Sequence, residues 1–298
     1  MVTDTNRLPT APRSAALPRA GLGPDIAALA AFGLLFYQTL IDLAEQWWNN
    51  PDAGHGLLLV PVCLYLAYRK GRHPEARADY RTGTLIIAAA VLMRYVGTMA
   101  GELFTMRVSL MIAVVGLTVC WAGLRQVIWW WLPLTVGTLA IPLPALLTNA
   151  LAVPLQLVAS RIGATLLEWR QVPFRIAGNV IDIPGYRLFV AEACSGLRSL
   201  TALLSLGVLI GGLWLRTWPG RAILLALTIP VAVLLNGFRV FLTAFLMHYV
   251  GPEFGRGFMH LSEGWLIFAV AFGLIGLVAF GMDRIERLFV REAVDGAA

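Results

Sequence analysis

Charged side chains are scarce in this chain. Asp, Glu, Lys and Arg make up 13% of its 298 residues, whereas soluble domains carry about 25%. Apolar residues make up 58% and the mean hydropathy is +0.74. This composition excludes an ordinary soluble domain and predicts an integral membrane protein. The net charge of +6 is explained by Lys and Arg in cytoplasmic loops, so no nucleic-acid partner is expected.

Motifs for metal or redox chemistry are also missing from the sequence. The three cysteines, Cys63, Cys120 and Cys194, form no CxxC pair, and none of the four histidines belongs to an HExxH motif. We therefore expect no metal and no organic cofactor. Cys63 and Cys120 lie inside apolar runs, where a free thiol behaves as a small hydrophobic group. Only Cys194 has polar neighbours.

Long apolar runs are abundant. A membrane-spanning helix needs about 20 mostly apolar residues, and eight runs approach that length: 25–45, 56–68, 84–100, 105–122, 127–147, 195–215, 221–249 and 262–282. In an eight-span arrangement most Lys and Arg fall on one side, which the positive-inside rule assigns to the cytoplasm together with both termini. The sequence therefore predicts an all-α polytopic membrane protein.

The remaining segments complete the predicted organisation. Residues 1–22 have no cleavable apolar core and are expected to be a disordered cytoplasmic tail. Residues 23–290 are expected to form one transmembrane catalytic domain, and 291–298 a cytoplasmic tail.

The apolar segment 151–169 is interrupted by Pro and polar residues, which favours a helix in the outer interface or a re-entrant segment. A spanning helix there would invert all later orientations. Gly and Pro in 171–190 predict a small β-hairpin at the outer face.

Three reactive residues fall near the outer side in this topology. Cys194 precedes the sixth predicted span, and His260 precedes the eighth. Arg239 lies about 15 Å below the outer end of the seventh, at 1.5 Å per residue. A cation at such a depth costs about 2.5–3.5 kcal/mol. Arg239 is therefore expected to face the bundle interior, with Asn236 on the same helix face.

These groups suit nucleophilic catalysis. The thiolate is the nucleophilic form of cysteine, and the positive end of the following helix favours it at Cys194. His260 is a candidate proton carrier, and Arg239 a candidate donor to an oxyanion. Arg198 is an alternative cation and His248 an alternative imidazole. A structural cysteine, a lipid-pairing arginine and an interfacial histidine remain the alternatives that chemistry alone leaves open.

Two other functional classes also remain open. A serine-type intramembrane hydrolase would use Ser195 or Ser199 as its nucleophile. A solute transporter would use Arg239 as an anion site without any chemistry. Transporters often contain internal repeats with broken helices in corresponding positions, and the sequence shows no internal repeat.

The order of three motifs resembles a known family. Glu192–Leu200, Asn236–Arg239 and His260–Trp265 are similar to the Cys, Arg and His motifs of the exosortase/archaeosortase family. Asp52–Gly56 and Ile141–Pro144 resemble further family features. The resemblance covers roughly residues 25 to 285.

The resemblance implies a cysteine peptidase or transpeptidase in the bacterial inner membrane, with its active site facing the periplasm. It assigns Cys194 as the nucleophile that forms a thioester, Arg239 as the stabilising cation and His260 as the general acid and base. The expected substrate-binding residues are Asn236, Arg198, Glu263 and His55, and for His55 a structural role is the alternative. The implied partners are membrane lipid, an amine acceptor and exported proteins with a PEP-CTERM-like signal, which consists of a Pro-containing motif, a transmembrane helix and a basic tail.

Overall fold

A computed structural model of the chain describes residues 22–50, 53–190, 196–255 and 257–295. The helices are α1 (Leu22–Asn49), α2 (Gly56–Lys70), α3 (Tyr80–Ala100), α4 (Leu103–Ala122), α5 (Leu124–Trp129), α6 (Trp131–Leu139), α7 (Ala145–Trp169), α8 (Gly196–Trp214), α9 (Trp218–Tyr249) and α10 (Gly257–Asp295). The strands are β1 (Arg175–Ala177), β2 (Val180–Ile183) and β3 (Tyr186–Phe189), and a 3-10 turn covers Pro252–Gly255.

The chain divides into two units, residues 1–41 and residues 42–298. The described part of the first unit is the apolar beginning of α1. The second unit contains the end of α1 and all the other elements, and with them Arg239 and the three strands.

Among the described residues, six helices are long and apolar enough to cross a membrane: Asp25–Asn49, Tyr80–Ala100, Leu103–Ala122, Leu146–Trp169, Trp218–Tyr249 and Leu266–Leu288. The structure therefore agrees with a polytopic, mainly helical membrane protein. By this criterion of length and apolar composition, fewer described helices qualify as spans than the eight that were predicted. The second predicted span, α2, has only 15 residues, and the apolar part of α8, Leu200–Trp214, is also short.

The predicted fifth span, 127–147, was wrong in its extent. Helix α6 ends at Leu139, and a new helix, α7, begins after Pro144. Pro142 and Pro144 explain the break, because proline has no N–H to continue a helical hydrogen-bond ladder. Pro144 instead occupies the N-cap of α7 in an extended conformation.

The segment predicted as an interrupted interfacial helix is one continuous helix, α7, of 25 residues. Pro154 lies inside α7 without ending it. A side chain at Gly237 would collide with Ile162, and Arg170 stacks over Phe245, so the second half of α7 runs parallel to α9. Helix α7 therefore leads to the end of the bundle where α9 finishes. It is long and apolar enough to cross a membrane, in place of the interfacial or re-entrant segment that was predicted.

A three-stranded antiparallel sheet follows α7, where only a hairpin was predicted. Its turns are closed by Gly178 and Gly185, whose φ angles of 62° and 84° favour glycine. The buried face of β2 and β3 packs against α7 and the C-terminal half of α9. It consists of Ile181, Ile183 and Leu188, together with Val190 directly after β3. Strand β1 was missed because its residues are all exposed and so show no apolar alternation.

Helices α8, α9 and α10 pack as consecutive antiparallel neighbours. A side chain at Gly207 of α8 would meet Thr228 of α9, and one at Gly211 would meet Leu224. The opposite end of α9 is held by Glu286 of α10, which accepts hydrogen bonds from the Arg216 N–H at 2.8 Å and from the Thr217 hydroxyl at 2.5 Å. A carboxylate at this position also complements the positive N-terminus of α9.

The close contact of α8 and α9 gives a stability prediction. In Gly207→Leu the new Cβ would lie 2.7 Å from Thr228 Oγ1, whereas a Cβ at Gly273 in α10 would meet nothing within 4 Å. Overpacking costs about 1–3 kcal/mol. We expect Gly207→Leu to lower the thermal unfolding midpoint in detergent by several degrees and Gly273→Leu to leave it unchanged. Equal midpoints for both variants would contradict the described packing.

Candidate functional site

Arg239 is buried in the C-terminal half of α9. The residue is 8% exposed, and Asn236, one helical turn earlier, is 6% exposed. The two side chains share one face of α9, as their spacing predicts. A guanidinium is charged at every physiological pH, so α9 carries a permanent cation inside the bundle.

Both residues line a small cavity between three helices. Its volume is about 20 Å³, which is on the scale of one water molecule. The remaining lining is apolar: Leu203 from α8, Ala232 and Leu235 from α9, and Ile267, Phe268 and Ala271 from α10. No carboxylate is among the described residues around this cavity.

The amide oxygen of Asn236 distinguishes this cavity from a simple packing defect. Asn236 Oδ1 is buried and has no hydrogen-bond partner within the part of the chain that the structure describes. Buried polar side-chain atoms nearly always have a partner, and leaving one unsatisfied costs about 1–3 kcal/mol. The hydrogen-bond donor to Asn236 Oδ1 is therefore expected to come from outside the described residues.

The cavity joins the three helices that carry or follow the predicted motifs. Helix α8 begins at Gly196, directly after the Cys194 segment, and reaches the cavity at Leu203. Helix α10 includes His260 in its first turn and reaches the cavity at Ile267. At 1.5 Å per residue, the backbones of Gly196 and His260 are each about 10 Å from those lining positions along their helices. Both lie on the side toward which α9 ends.

The structure describes the side chains of only some of the predicted site residues. It brings Arg239 and Asn236 together and buries both. Cys194 and Ser195 lie outside the described residues. The helical backbones of α8 and α10 contain Arg198, Ser199, His260 and Glu263, whose side chains also fall outside the description. The roles assigned to these residues stay predictions.

His248, the alternative imidazole, lies in the last turn of α9 and contacts the edge of the Tyr249 ring. At 3.6 residues per turn, positions 239 and 248 are about 180° apart around the helix. The His248 side chain therefore leaves α9 on the face opposite to Arg239. This geometry directs His248 away from the Arg239 cavity.

Comparison with protein families gives a match that covers most of the chain. Residues 47–277 match the family model of the transmembrane exosortases. The chain belongs to the exosortase family. The resemblance inferred from the motifs is thereby confirmed, and the match covers Asn236, Arg239 and the Cys194 and His260 positions. No curated protein and no solved structure is significantly similar to the chain. Membership implies a multi-pass membrane protein with a sorting-related transpeptidase role.

His55 of this exosortase contacts the end of α6. Its Nε2 lies 3.3 Å from the carbonyl oxygen of Leu139, and the indole of Trp47 donates to the carbonyl oxygen of Ala140 at 2.9 Å. The last carbonyls of a helix lack partners within it, and in lipid each unsatisfied group costs several kcal/mol. His55 and Trp47 therefore compensate for the break that Pro142 and Pro144 impose.

Gly56 completes this arrangement because a Cβ there would overlap the Trp47 indole nitrogen. His55 is not among the described residues that line the Arg239 cavity. The contacts favour a structural role for His55 over the predicted contact with substrate. Sequence reasoning missed Trp47, because its partner Ala140 is 93 residues away in the chain.

A structural role for His55 predicts how its substitutions behave. His55→Leu and Trp47→Phe each remove a partner of an α6 carbonyl, so we expect both to lower the thermal midpoint in detergent by several degrees. His55→Gln keeps an N–H donor and is expected to retain most of the wild-type stability. A His55→Gln protein with normal stability but no processing of substrate would instead identify His55 as a substrate contact.

Proposed function

We propose that the chain is a membrane-embedded cysteine transpeptidase or protease of the bacterial inner membrane. It cleaves PEP-CTERM-like C-terminal sorting signals of exported proteins at the periplasmic face, through a thioester at Cys194. The observation that carries this proposal is the burial of Arg239 at the junction of α8, α9 and α10. These are the elements that carry or follow the three family motifs.

The position of Arg239 supports an anion-stabilising role. Its side chain lines the cavity beside the amide of Asn236, and the other described lining residues are apolar. In surroundings of low dielectric, a fixed cation stabilises nearby negative charge far more strongly than it would in water. Cleavage of a peptide by a thiol creates such charge twice, on the thiolate and on the oxyanion of the tetrahedral intermediate.

Chain connectivity supports the approach of the other two groups. Consecutive Cα atoms are 3.8 Å apart, so the Cα of Cys194 lies within roughly 8 Å of the Cα of Gly196, the first residue of α8. His260 is in the first turn of α10. Both helices contact the Arg239 cavity at comparable distances from these positions, which supports a shared site.

The proposed reaction proceeds in two steps. His260 takes the proton of the Cys194 thiol, and the thiolate attacks the scissile carbonyl carbon to form a C–S bond. Arg239 stabilises the resulting oxyanion. As the intermediate collapses, the C–N bond breaks and His260 gives its proton to the leaving amine, which leaves a thioester. An acceptor amine or water then attacks the thioester, its proton passes to His260, and the Cys194 thiolate is released.

Cys194→Ala provides the test. We expect processing of a tagged C-terminal signal to fall by about 10³-fold or more, because removal of a nucleophile abolishes the covalent route. The measurement is an immunoblot of precursor and product in membranes that contain equal amounts of each variant. Cys63→Ala and Cys120→Ala are matched controls: Cys63 donates to the Val60 carbonyl and Cys120 is buried, and we expect both to process normally.

Several outcomes would overturn the proposal. Normal processing by Cys194→Ala would exclude the thioester. Full activity of Cys194→Ser after treatment with a thiol-alkylating reagent would favour a serine-type hydrolase. If the purified wild-type chain binds a solute in proteoliposomes and cleaves no signal, a transporter is favoured.

A further inference from the structure

Strand β3 forms one edge of the outer sheet. The strand order is β1-β2-β3, and among the residues that the structure describes β3 pairs with β2 alone. Leu188 is buried, whereas Tyr186, Arg187 and Phe189 are exposed. An edge strand presents main-chain N–H and C=O groups that another extended segment can pair with. Sequence reasoning assigned no function to this part of the chain.

The pairing register shows which groups the edge presents. Ile183 and Tyr186 flank a two-residue turn, so their main-chain groups are hydrogen-bonded to each other. Along an antiparallel pair, hydrogen-bonded and non-hydrogen-bonded residue pairs alternate. Leu188 is thus bonded to Ile181. The N–H of Val190 donates to the Asn179 carbonyl at 2.9 Å, which continues the alternation.

Arg187 and Phe189 fall in the non-bonded pairs, opposite Asp182 and Val180. Their N–H and C=O groups therefore point away from β2, toward the outer edge. These two residues offer two donors and two acceptors, which suffice for four main-chain hydrogen bonds to an added strand.

The edge is close to the proposed site in both sequence and space. A chain spans at most about 3.3–3.6 Å per residue, so the Cα atoms of Phe189 and Cys194 are within roughly 18 Å of each other. Leu188 and Val190 pack in one cluster with Val240, the residue next to Arg239 on α9. The edge strand is therefore fixed to the helix that carries the buried cation.

We propose that the outer edge of β3 binds the extended peptide segment that contains the scissile bond, by antiparallel or parallel strand addition. This inference rests on the proposed function. Main-chain pairing supplies binding energy with little dependence on side chains, while exposed neighbours such as Tyr186 and Phe189 contact alternate side chains of the peptide. Only two residues of β3 direct their main-chain groups outward, so an added strand gains few hydrogen bonds. Such an edge suits a peptide that is bound briefly and then released better than it suits a second copy of the chain.

Phe189→Pro tests the proposal. Proline removes the outward N–H of residue 189 and is tolerated on an edge strand, so the bonds between β2 and β3 are retained. We expect kcat/KM for a sorting-signal peptide to fall about ten-fold, with the rate of Cys194 alkylation and the thermal midpoint unchanged. Phe189→Ala keeps the N–H and is the matched control, expected within about two-fold of wild type. Leu188→Pro removes a bond inside the sheet and is expected to lower the midpoint.

A second measurement uses the wild-type protein, so it does not depend on the folding of a variant. Single N-methyl groups are placed at successive positions of the peptide. Strand addition predicts slower cleavage at alternate positions, because only every second N–H of the peptide faces β3. Equal effects at successive positions, or equal losses in Phe189→Pro and Phe189→Ala, would overturn the inference.

Other results separate this inference from the proposed function. If wild type cleaves no peptide, the proposed function fails. If wild type and Phe189→Pro cleave equally well and unfold at the same temperature, only the strand-addition inference fails. A change in oligomeric mass in Phe189→Pro without a change in cleavage would assign the edge to a second copy of the chain and would also overturn it.

Discussion

The burial of a permanent positive charge in the C-terminal half of α9 is the constraint on which the rest of the structure depends. A cation within a membrane costs at least about 2.5–3.5 kcal/mol, and Arg239 is only 8% exposed. Its carbon chain is surrounded by apolar residues of α8, α9 and α10, while Asn236 adds a buried polar atom beside it. A buried cation is stabilised by negative charge and by hydrogen-bond acceptors. This requirement connects the burial of Arg239 with its proposed role of stabilising an anion.

The packing around α9 holds this charge in position from both ends. Toward the C-terminal end of α9, α7 contacts it at Gly237, and the buried face of the sheet covers Val240. At the other end, Glu286 binds the N-terminus of α9 through Arg216 and Thr217. Electrostatic stabilisation is most effective when the charged group is already in place before reaction. The helices and the sheet thus act together as a support for Arg239.

Sequence alone predicted the parts of this arrangement that depend on local spacing and composition. The three-residue spacing placed Asn236 and Arg239 on one helix face, and apolar runs indicated a polytopic membrane protein. It did not predict that α7 would continue through Pro154, because proline inside a helix removes a hydrogen bond and usually ends or bends it. It also missed the pairing of Trp47 with Ala140, since the two residues are distant in the chain. Those features depend on tertiary contacts that no local pattern encodes.

The central claim, that Cys194 and His260 meet at the Arg239 cavity, is tested most directly by cross-linking in native membranes. In a Cys63→Ala, Cys120→Ala background, His260→Cys or His248→Cys is combined with Cys194, and a short bifunctional thiol reagent is added. Cross-linked peptides are then identified by mass spectrometry. The account predicts a cross-link from Cys194 to position 260 and none to position 248, which lies on the opposite face of α9. A cross-link to position 248 with none to position 260 would contradict it.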